Sequence, residues 1–437
     1  MIVCKFGGTS MADAKCIRAA ADIVRADKAR RYVVVSAPGK RHGKDEKITD
    51  LLLRCQKQGV RKLDFSASFI ALKDRFCRIV ADLGLQLDLE GDFDALEQAL
   101  RDGASPDYAA SRGEYFNARI FAALLGFDFL DAKDLVAFDE KGALLMDETI
   151  ARLAEAMKKH TRAVIPGFYG SRPDGSVCTF SRGGSDVTGS LAAAAGKAEL
   201  YENWTDVSGI LMADPRVVRD ARTIPAVTYQ ELRELSYMGA TVLHEDAVFP
   251  VSSRGIPIRI CNTKRPSDPG TLIASEAPCK MGTITGIAGK KGFSAIHVDK
   301  DRMNAEIGFG RRVLSVLEDL NMSFEHLPSG IDTLSVFLET SEVKGKENEI
   351  LSGIQAAVKP DRVHIVNGYA LIAVVGRGMR HAPGTAARLF SGLAKAGINV
   401  DMIDQGSSQI NIIVGVEEKD YERALEAIYR EFIPVEL

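Results

Sequence analysis

The C-terminal third of the chain repeats itself, and this limits the available folds more than any other feature. Sliding the segment that starts at Phe293 by 76 positions brings Gly308 onto Gly384, Leu317 onto Leu393 and Gly330 onto Gly406 without a gap. The same offset pairs Met322 with Ile398, Phe324 with Val400 and Glu325 with Asp401. Each copy reads as strand, glycine-containing loop, helix, strand, turn, strand. Neither copy can bury its sheet face alone, so the two are expected to pack against each other. The Pro-, Ser- and Gly-bearing stretch 266–281 marks the boundary with what precedes it.

Up to about residue 260 the pattern is different: short apolar runs alternate with amphipathic stretches. Strands are predicted at Ile2–Cys4, Tyr32–Ser36, Phe127–Asp131, Ala163–Phe168, Glu199–Trp204 and Pro257–Cys261. Helices are predicted at Thr49–Lys57, Phe65–Leu83, Tyr108–Leu125 and Val187–Ala195, with Ser10 as the cap of a helix carrying Cys16, Ile17, Ala20, Ile23 and Val24 on one face. This alternation implies an α/β fold with a mainly parallel sheet covered by helices on both faces. Ligands of such sheets bind beyond the carboxyl ends of the strands, so the loops there come first.

Bulk properties exclude several classes. Basic and acidic residues nearly balance, 56 against 59, which gives no electrostatic case for nucleic acid or an anionic membrane. No apolar run approaches the roughly 18 to 20 residues that span a bilayer, and MIVCKFGG lacks the layout of a signal peptide. The seven cysteines form no CxxC pair and read as reduced core residues of a cytoplasmic protein.

Three polar loops follow predicted strands. Lys5-Phe6-Gly7-Gly8-Thr9-Ser10 offers a double glycine, a helix N-terminus and a cation, a combination that favours phosphate. Neither the GxxxxGK[ST] nor the GxGxxG pattern is present at this turn. Phe180-Ser181-Arg182-Gly183-Gly184-Ser185-Asp186 brings a guanidinium, a Gly-Gly nest, a hydroxyl and a carboxylate together. In Thr205-Asp206-Val207-Ser208-Gly209-Ile210, followed by Asp214-Pro215-Arg216, Asp206 suits a cation or ribose and Arg216 suits phosphates.

KFGGTS, SRGGSD and TDVSGI…DPR, in this order and spacing, resemble the signature motifs of aspartokinases, members of the amino acid kinase superfamily, and the paired repeat resembles their tandem ACT domains. The resemblance covers essentially the whole chain. It implies an amino acid kinase-like catalytic domain over 1–275 and two ferredoxin-like (βαββαβ) ACT domains over 283–362 and 363–437. It also implies phosphorylation of the L-aspartate side chain by ATP with Mg²⁺, in a likeness that includes feedback by lysine or threonine and a homodimer or dimer of dimers. Lys5 and Asp186 would be catalytic. Ser36, Thr49, Glu114, Phe168, Arg182 and Ser185 would bind aspartate, Arg182 clamping the α-carboxylate and Glu114 pairing with the α-ammonium. Lys5, Gly7, Gly8, Ser10, Thr205, Asp206, Leu211 and Arg216 would bind ATP, and no resident metal site is implied. Met303, Glu306, Gly308, Phe309, Gly310, Phe324 and Glu325 would bind the effector.

Two departures bear on the nucleotide. Leu211 stands where many members carry an aromatic residue, and Thr241 where they commonly carry lysine, with Glu245 in place of proline. The basic cluster Lys40, Arg41, Lys44 and Lys47 is a candidate to compensate, and His244 reads as a packed helix residue. Two alternatives remain from sequence: an amino acid kinase acting on glutamate, N-acetylglutamate, a nucleotide or carbamate, and a non-catalytic amino-acid sensor with a degenerate kinase site. Arg182 with Glu114 favours an unblocked α-amino acid.

Overall fold

The computed structural model describes residues 1–240, 243 and 245–433. The chain divides into two compact units. Met1–Ile210, Thr223–Tyr229 and Val242–Ala277 form the first; Leu211–Arg222, Gln230–Thr241 and Pro278–Leu437 form the second.

The first unit is built on β1 (Ile2–Phe6), β2 (Arg30–Val35), β3 (Asp128–Phe129), β4 (Ala163–Pro166), β5 (Tyr169–Ser171), β6 (Val177–Thr179), β7 (Leu200–Thr205), β8 (Ala226–Thr228), β9 (Ile258–Asn262) and β10 (Thr271–Ala274). Eight of these make one sheet in the order β3-β4-β2-β1-β7-β9-β10-β8, while β5 and β6 form a separate hairpin. Every pairing in the large sheet is parallel except β9 with β10. The chain leaves β1 towards β2 on one side and reaches β7 on the other, so the order switches at β1. The crevice beyond the carboxyl ends of β1 and β7 is therefore where the topology places a ligand.

Alternation along β1 decides what each face meets. Cys4 and Phe6 join the core with the helices Ala14–Ala26, Ile48–Val60, Ser66–Leu83 and Pro106–Leu125. Lys5 turns to the opposite face, where the helix Gly184–Ala195 lies. The first helix is capped by Asp13, whose carboxylate accepts from the Cys16 N–H at 2.9 Å, and not by Ser10. Ser10 sits one turn earlier, in a 3₁₀ segment over Gly8–Met11.

The second unit carries β11 (Gly286–Asp299), β12 (Thr333–Glu339), β13 (Arg362–Val375), β14 (Met402–Asp404) and β15 (Asn411–Glu417) in the antiparallel order β12-β11-β13-β15-β14. The two sequence copies share the long strands β11 and β13. β12 pairs with the second half of β11, and β15 pairs with the second half of β13. The register of β11 against β13 shifts around Phe293, and Gly292 (φ 89°) and Gly368 (φ 90°) flank the irregularity in a conformation other residues rarely adopt. Each copy has its own core, one centred on Val313, Leu317 and Ile354, the other on Leu389, Leu393 and Ile428. The helices Phe309–Asp319 and Thr385–Lys395 obey the offset read from sequence, behind glycines of φ 78° and 89°. The following strands do not: Thr333 and Asn411, which open β12 and β15, are 78 positions apart. The second copy inserts two residues in the turn after Gly406.

Candidate active site

Beyond β1, Lys5 Nζ lies 2.6 Å from Asp186 Oδ1, with both side chains largely buried. Asp186 is in the first turn of the helix Gly184–Ala195, where a carboxylate suits the exposed N–H groups. The chain turns back at Gly7 and Gly8. The Gly7 N–H donates to the Trp204 carbonyl at 3.0 Å, and the Gly39 N–H donates to the Gly8 carbonyl at 2.8 Å. A Cβ on Gly8 would sit 3.1 Å from the Ala37 carbonyl, and one on Gly7 would sit 3.6 Å from Lys5 Nζ. The double glycine thus lets two loops pass in van der Waals contact beside the ammonium. Ser10, expected at the nucleotide, is buried, and its hydroxyl shares a 2.6 Å hydrogen bond with Thr263 Oγ1. It braces the turn.

A second wall comes from the helix Pro106–Leu125, which Ser105 caps through the Tyr108 N–H (3.1 Å) and Gly126 ends in a left-handed turn. Gly113 lets this helix approach the loop after β2, since a Cβ there would meet the Ala37 Cβ at 2.8 Å. Glu114 is thereby carried into the interior. Burial pushes its carboxyl up to about 8, although the Ala37 main-chain N–H donates to it and Arg112 is nearby. Its Oε2 has no hydrogen-bond partner among the described residues. One turn on, Asn117 Nδ2 donates to the Ser36 carbonyl at 2.6 Å, while Asn117 Oδ1 is buried without a partner. Two orphan acceptors on one helix face are what an ammonium group requires. Asn117 was missed in the sequence, although its i+3 spacing from Glu114 signals it. Arg112 is also unforeseen: its guanidinium lies 4.8, 4.5 and 5.3 Å from the ring centres of Tyr108, Tyr115 and Tyr169. Thr49 is half-buried in the first turn of the helix Ile48–Val60.

The third wall joins β4 to the SRGGSD loop. Gly167 lies so close that a Cβ would be 2.6 Å from Ser185 Oγ, and Ser185 is buried. Phe168 has φ 79°, a conformation that costs a bulky residue energy. It is held by the Thr188 hydroxyl, which accepts from its N–H (3.2 Å), and by the Phe180 N–H, which donates to its carbonyl (2.9 Å). Gly183, at φ 57°, opens the following helix. Arg182 is exposed, and no hydrogen bond or ion pair among the described residues reaches it.

Among the residues assigned to the nucleotide, Asp206 is exposed beside Thr205, whose hydroxyl donates to Asp206 Oδ1 at 3.3 Å. Leu211 and Arg216 belong to the second unit. Arg216 is exposed, and its Nε and Nη2 bind Asp214 at 3.0 and 2.6 Å, which holds that carboxyl below the usual range. The basic loop is also partly committed. Arg41 pairs with Asp45 at 2.8 Å, and Arg75 reaches the same carboxylate at 3.2 Å while donating to the Glu46 and Gly39 carbonyls. Lys40, Lys44 and Lys47 remain exposed. Thr241, His244 and the Glu245 side chain lie outside the described residues.

The effector residues divide. The side chains of Met303 and Phe309 are buried in the core of the first copy. Glu306 pairs with Lys300 (2.6 Å) and with Arg312. Gly308 caps the helix Phe309–Asp319, and open space surrounds Gly310. Phe324 is 42% exposed, and Glu325 accepts from the Tyr237 hydroxyl. Next to it, His326 pairs with Asp404 of the second copy at 2.6 Å. In the second copy, Met379, Gly384, Thr385, Gln405 and Gly406 line a cavity of about 770 Å³.

Residues 1–262 match the model of the amino acid kinase family, and residues 372–432 that of the ACT domain. Aspartokinase 3 of Bacillus subtilis is 38% identical over 453 residues, spanning 99% of this chain and 98% of the relative. The crystal structure of Clostridium acetobutylicum aspartate kinase, described as an allosteric enzyme, superposes with a TM-score of 0.88 at 47% identity, covering 99% of both chains. Aspartokinase III of E. coli has been solved with aspartate and ADP (26% identity, TM-score 0.73) and with lysine and aspartate (25%, 0.71), each over 99% of both chains. The chain belongs to the amino acid kinase family and, within it, to the aspartokinases. It is an ATP-dependent kinase of aspartate that carries ACT domains for allosteric regulation.

Proposed function

We propose that aspartate lies between the Glu114 and Arg182 walls, with its side-chain carboxylate directed at Lys5. The observation that carries this reading is the pair of orphan acceptors, Glu114 Oε2 and Asn117 Oδ1, buried together on one helix face where an ammonium group would give both a donor. An ammonium at about 4 Å from a carboxylate gains on the order of 4 kcal/mol at an effective dielectric near 20. Arg182, free to move, closes on the α-carboxylate with its planar fork. Ser36, Thr49, Phe168 and Ser185 shape the space between. The attacking carboxylate is already ionised at neutral pH, so no general base is needed. Catalysis is then positioning and charge neutralisation: Lys5 and the Gly8 N–H meet the transferring phosphoryl group, Gly7 lets the backbone pass close by, and Asp186 aims Lys5.

The hard oxygen donors of Asp186 and Asp206 suit Mg²⁺ shared with nucleotide phosphates, a cation that rarely needs an all-protein cage. Among the described residues no cluster of three His, Cys, Asp or Glu forms such a cage. When bound, Mg²⁺ supplies neutralisation of phosphate charge. Thr205 and Leu211 are assigned to the nucleotide; Ser10 supports the loop from behind.

The catalytic domain is proposed to span 1–275 and the ACT domains 283–362 and 363–437, with the first half of β11 completing the sheet of the second. Lysine is proposed as the effector, alone or with threonine, at Glu325, Phe324 and the N-terminus of the helix after Gly308. The E. coli relative solved with lysine supports this choice. The assembly is proposed to be a homodimer, and the compartment the cytoplasm; none of the seven cysteines is in a disulfide, and among the described residues no helix is long and apolar enough to cross a membrane. An acyl-hydroxamate assay with ATP, Mg²⁺ and L-aspartate tests the reading. Turnover should be lost in Lys5→Ala and Asp186→Ala, and aspartate KM should rise in Glu114→Gln and Arg182→Ala. Wild-type aspartate KM in the last two would overturn the placement.

A further inference from the structure

β1 and β7 are adjacent and parallel, and their register pairs Lys5 with Asn203. Both residues therefore stand side by side at one height, on the face covered by the helix Gly184–Ala195. Both reach the same atom. Lys5 Nζ is 2.6 Å from Asp186 Oδ1, and Asn203 Nδ2 donates to that oxygen at 2.7 Å. Two residues earlier on the same strand face, the Tyr201 hydroxyl donates to the Asp186 main-chain carbonyl at 3.1 Å. Asn203 is only 4% exposed, so water offers its amide no ready substitute.

We infer that Asn203 is a positioning residue for the phosphoryl transfer: it fixes the Asp186 carboxylate so that Lys5 is aimed at the Gly7–Gly8 turn. The inference rests on the reading of Lys5 and Asp186 as the catalytic pair.

A carboxylate facing one ammonium can rotate to offer it both oxygens, which would draw the lysine back towards the helix. A second donor on the same oxygen opposes that rotation; among the described residues no hydrogen bond reaches Oδ2. The neutral amide does this without adding a charge that would compete with Lys5 for the carboxylate or the phosphates. Its side chain is short and rooted in a central strand, so its reach is set by the sheet register. A carboxyl at this position would have the same shape and the opposite effect, because two carboxylates at hydrogen-bonding distance share a proton instead of ionising together.

The test compares Asn203→Leu and Asn203→Asp with wild type, Lys5→Ala and Asp186→Ala, measuring kcat, both KM values from pH 6 to 9 and the melting temperature. Asn203→Leu is expected to lower kcat roughly 10- to 100-fold, the range for losing one hydrogen bond to a charged group. Its aspartate KM should stay within about twofold, because uniform binding is untouched. Asn203→Asp should be the poorer enzyme at pH 8 and recover as pH falls and the introduced carboxyl takes a proton, moving the optimum to lower pH. Wild-type kcat in Asn203→Leu would overturn the inference, as would a wild-type pH profile in Asn203→Asp. So would a fall in kcat accompanied by equal losses in aspartate affinity and melting temperature, which marks a merely structural residue. Full activity in Lys5→Ala or Asp186→Ala would instead remove the catalytic pair itself.

Discussion

The two walls proposed to grip aspartate are built in opposite ways. Glu114 is fully enclosed on a long capped helix, wedged against the loop after β2 because Gly113 has no side chain. Arg182 stands exposed on a glycine loop with no partner among the described residues. Burying an acid is costly, and here burial outweighs the nearby Arg112 and the Ala37 N–H, so that the Glu114 carboxyl is pushed up to about 8. An exposed guanidinium costs little and can wait for its ligand in water. One wall is pre-formed at a cost in stability; the other is exposed and costs little. Binding at the first wall should therefore depend on pH, and binding at the second should not.

Substitutions can break or sharpen that contrast. The largest effect is expected outside both walls: Lys5→Ala should lower kcat by about 10³-fold, the scale of losing a preorganised charge stabiliser, measured at saturating ATP and aspartate. Glu114→Gln should raise aspartate KM roughly 100-fold, through loss of a buried charge pair, and should flatten the dependence of that KM on pH. Arg182→Ala should raise aspartate KM about tenfold while the pH dependence survives. If both variants kept the pH dependence, Glu114 would not be the ammonium partner.

Stability gives a smaller effect with a definite sign. The Glu114 carboxyl lies at about 8 in the fold against an ordinary value of 4.5. Its protonated form is favoured by folding, so its contribution is fully present below pH 4.5 and is lost as pH rises through about 8. The melting temperature of the ligand-free protein should fall over that window, and Glu114→Gln should lessen the fall. In the second unit, Glu325→Ala should leave the uninhibited rate within about twofold and raise the lysine concentration for half-inhibition about tenfold. A fully inhibitable variant would move the effector away from Glu325.

Much of this was legible in the sequence because it depends on local rules. The apolar run before Lys5, the two glycine loops and the repeat in the second unit all follow from periodicity and turn chemistry, and the helix after Gly308 superimposes on that after Gly384 at the offset read from sequence. What was not legible is in part a choice between near neighbours and in part a matter of distance in space. Ser10 looked like a cap, but a 3₁₀ turn intervenes and Asp13 takes the role. Arg216 reads in sequence without a partner, and its exposed side chain is paired with Asp214, two residues away. Met303 and Phe309 are assigned to the effector loop by resemblance, and only the packing reveals that their apolar side chains fill the core of the first copy. Asn203 read as one more residue in a buried strand; only the pairing of β1 with β7 places it beside Lys5. The segments Leu211–Arg222 and Gln230–Thr241 continue the first unit in sequence but cluster with the second, which no local pattern reports.

The claim that a protonated, buried Glu114 receives the ammonium of aspartate is tested most directly by counting protons. Calorimetric titration with L-aspartate at pH 7, repeated in buffers of different ionisation enthalpy, gives the number released on binding. Close to one proton per site is expected from wild type, because the ammonium drives Glu114 to ionise, and none from Glu114→Gln. Binding of aspartate to wild type with no proton release would contradict it.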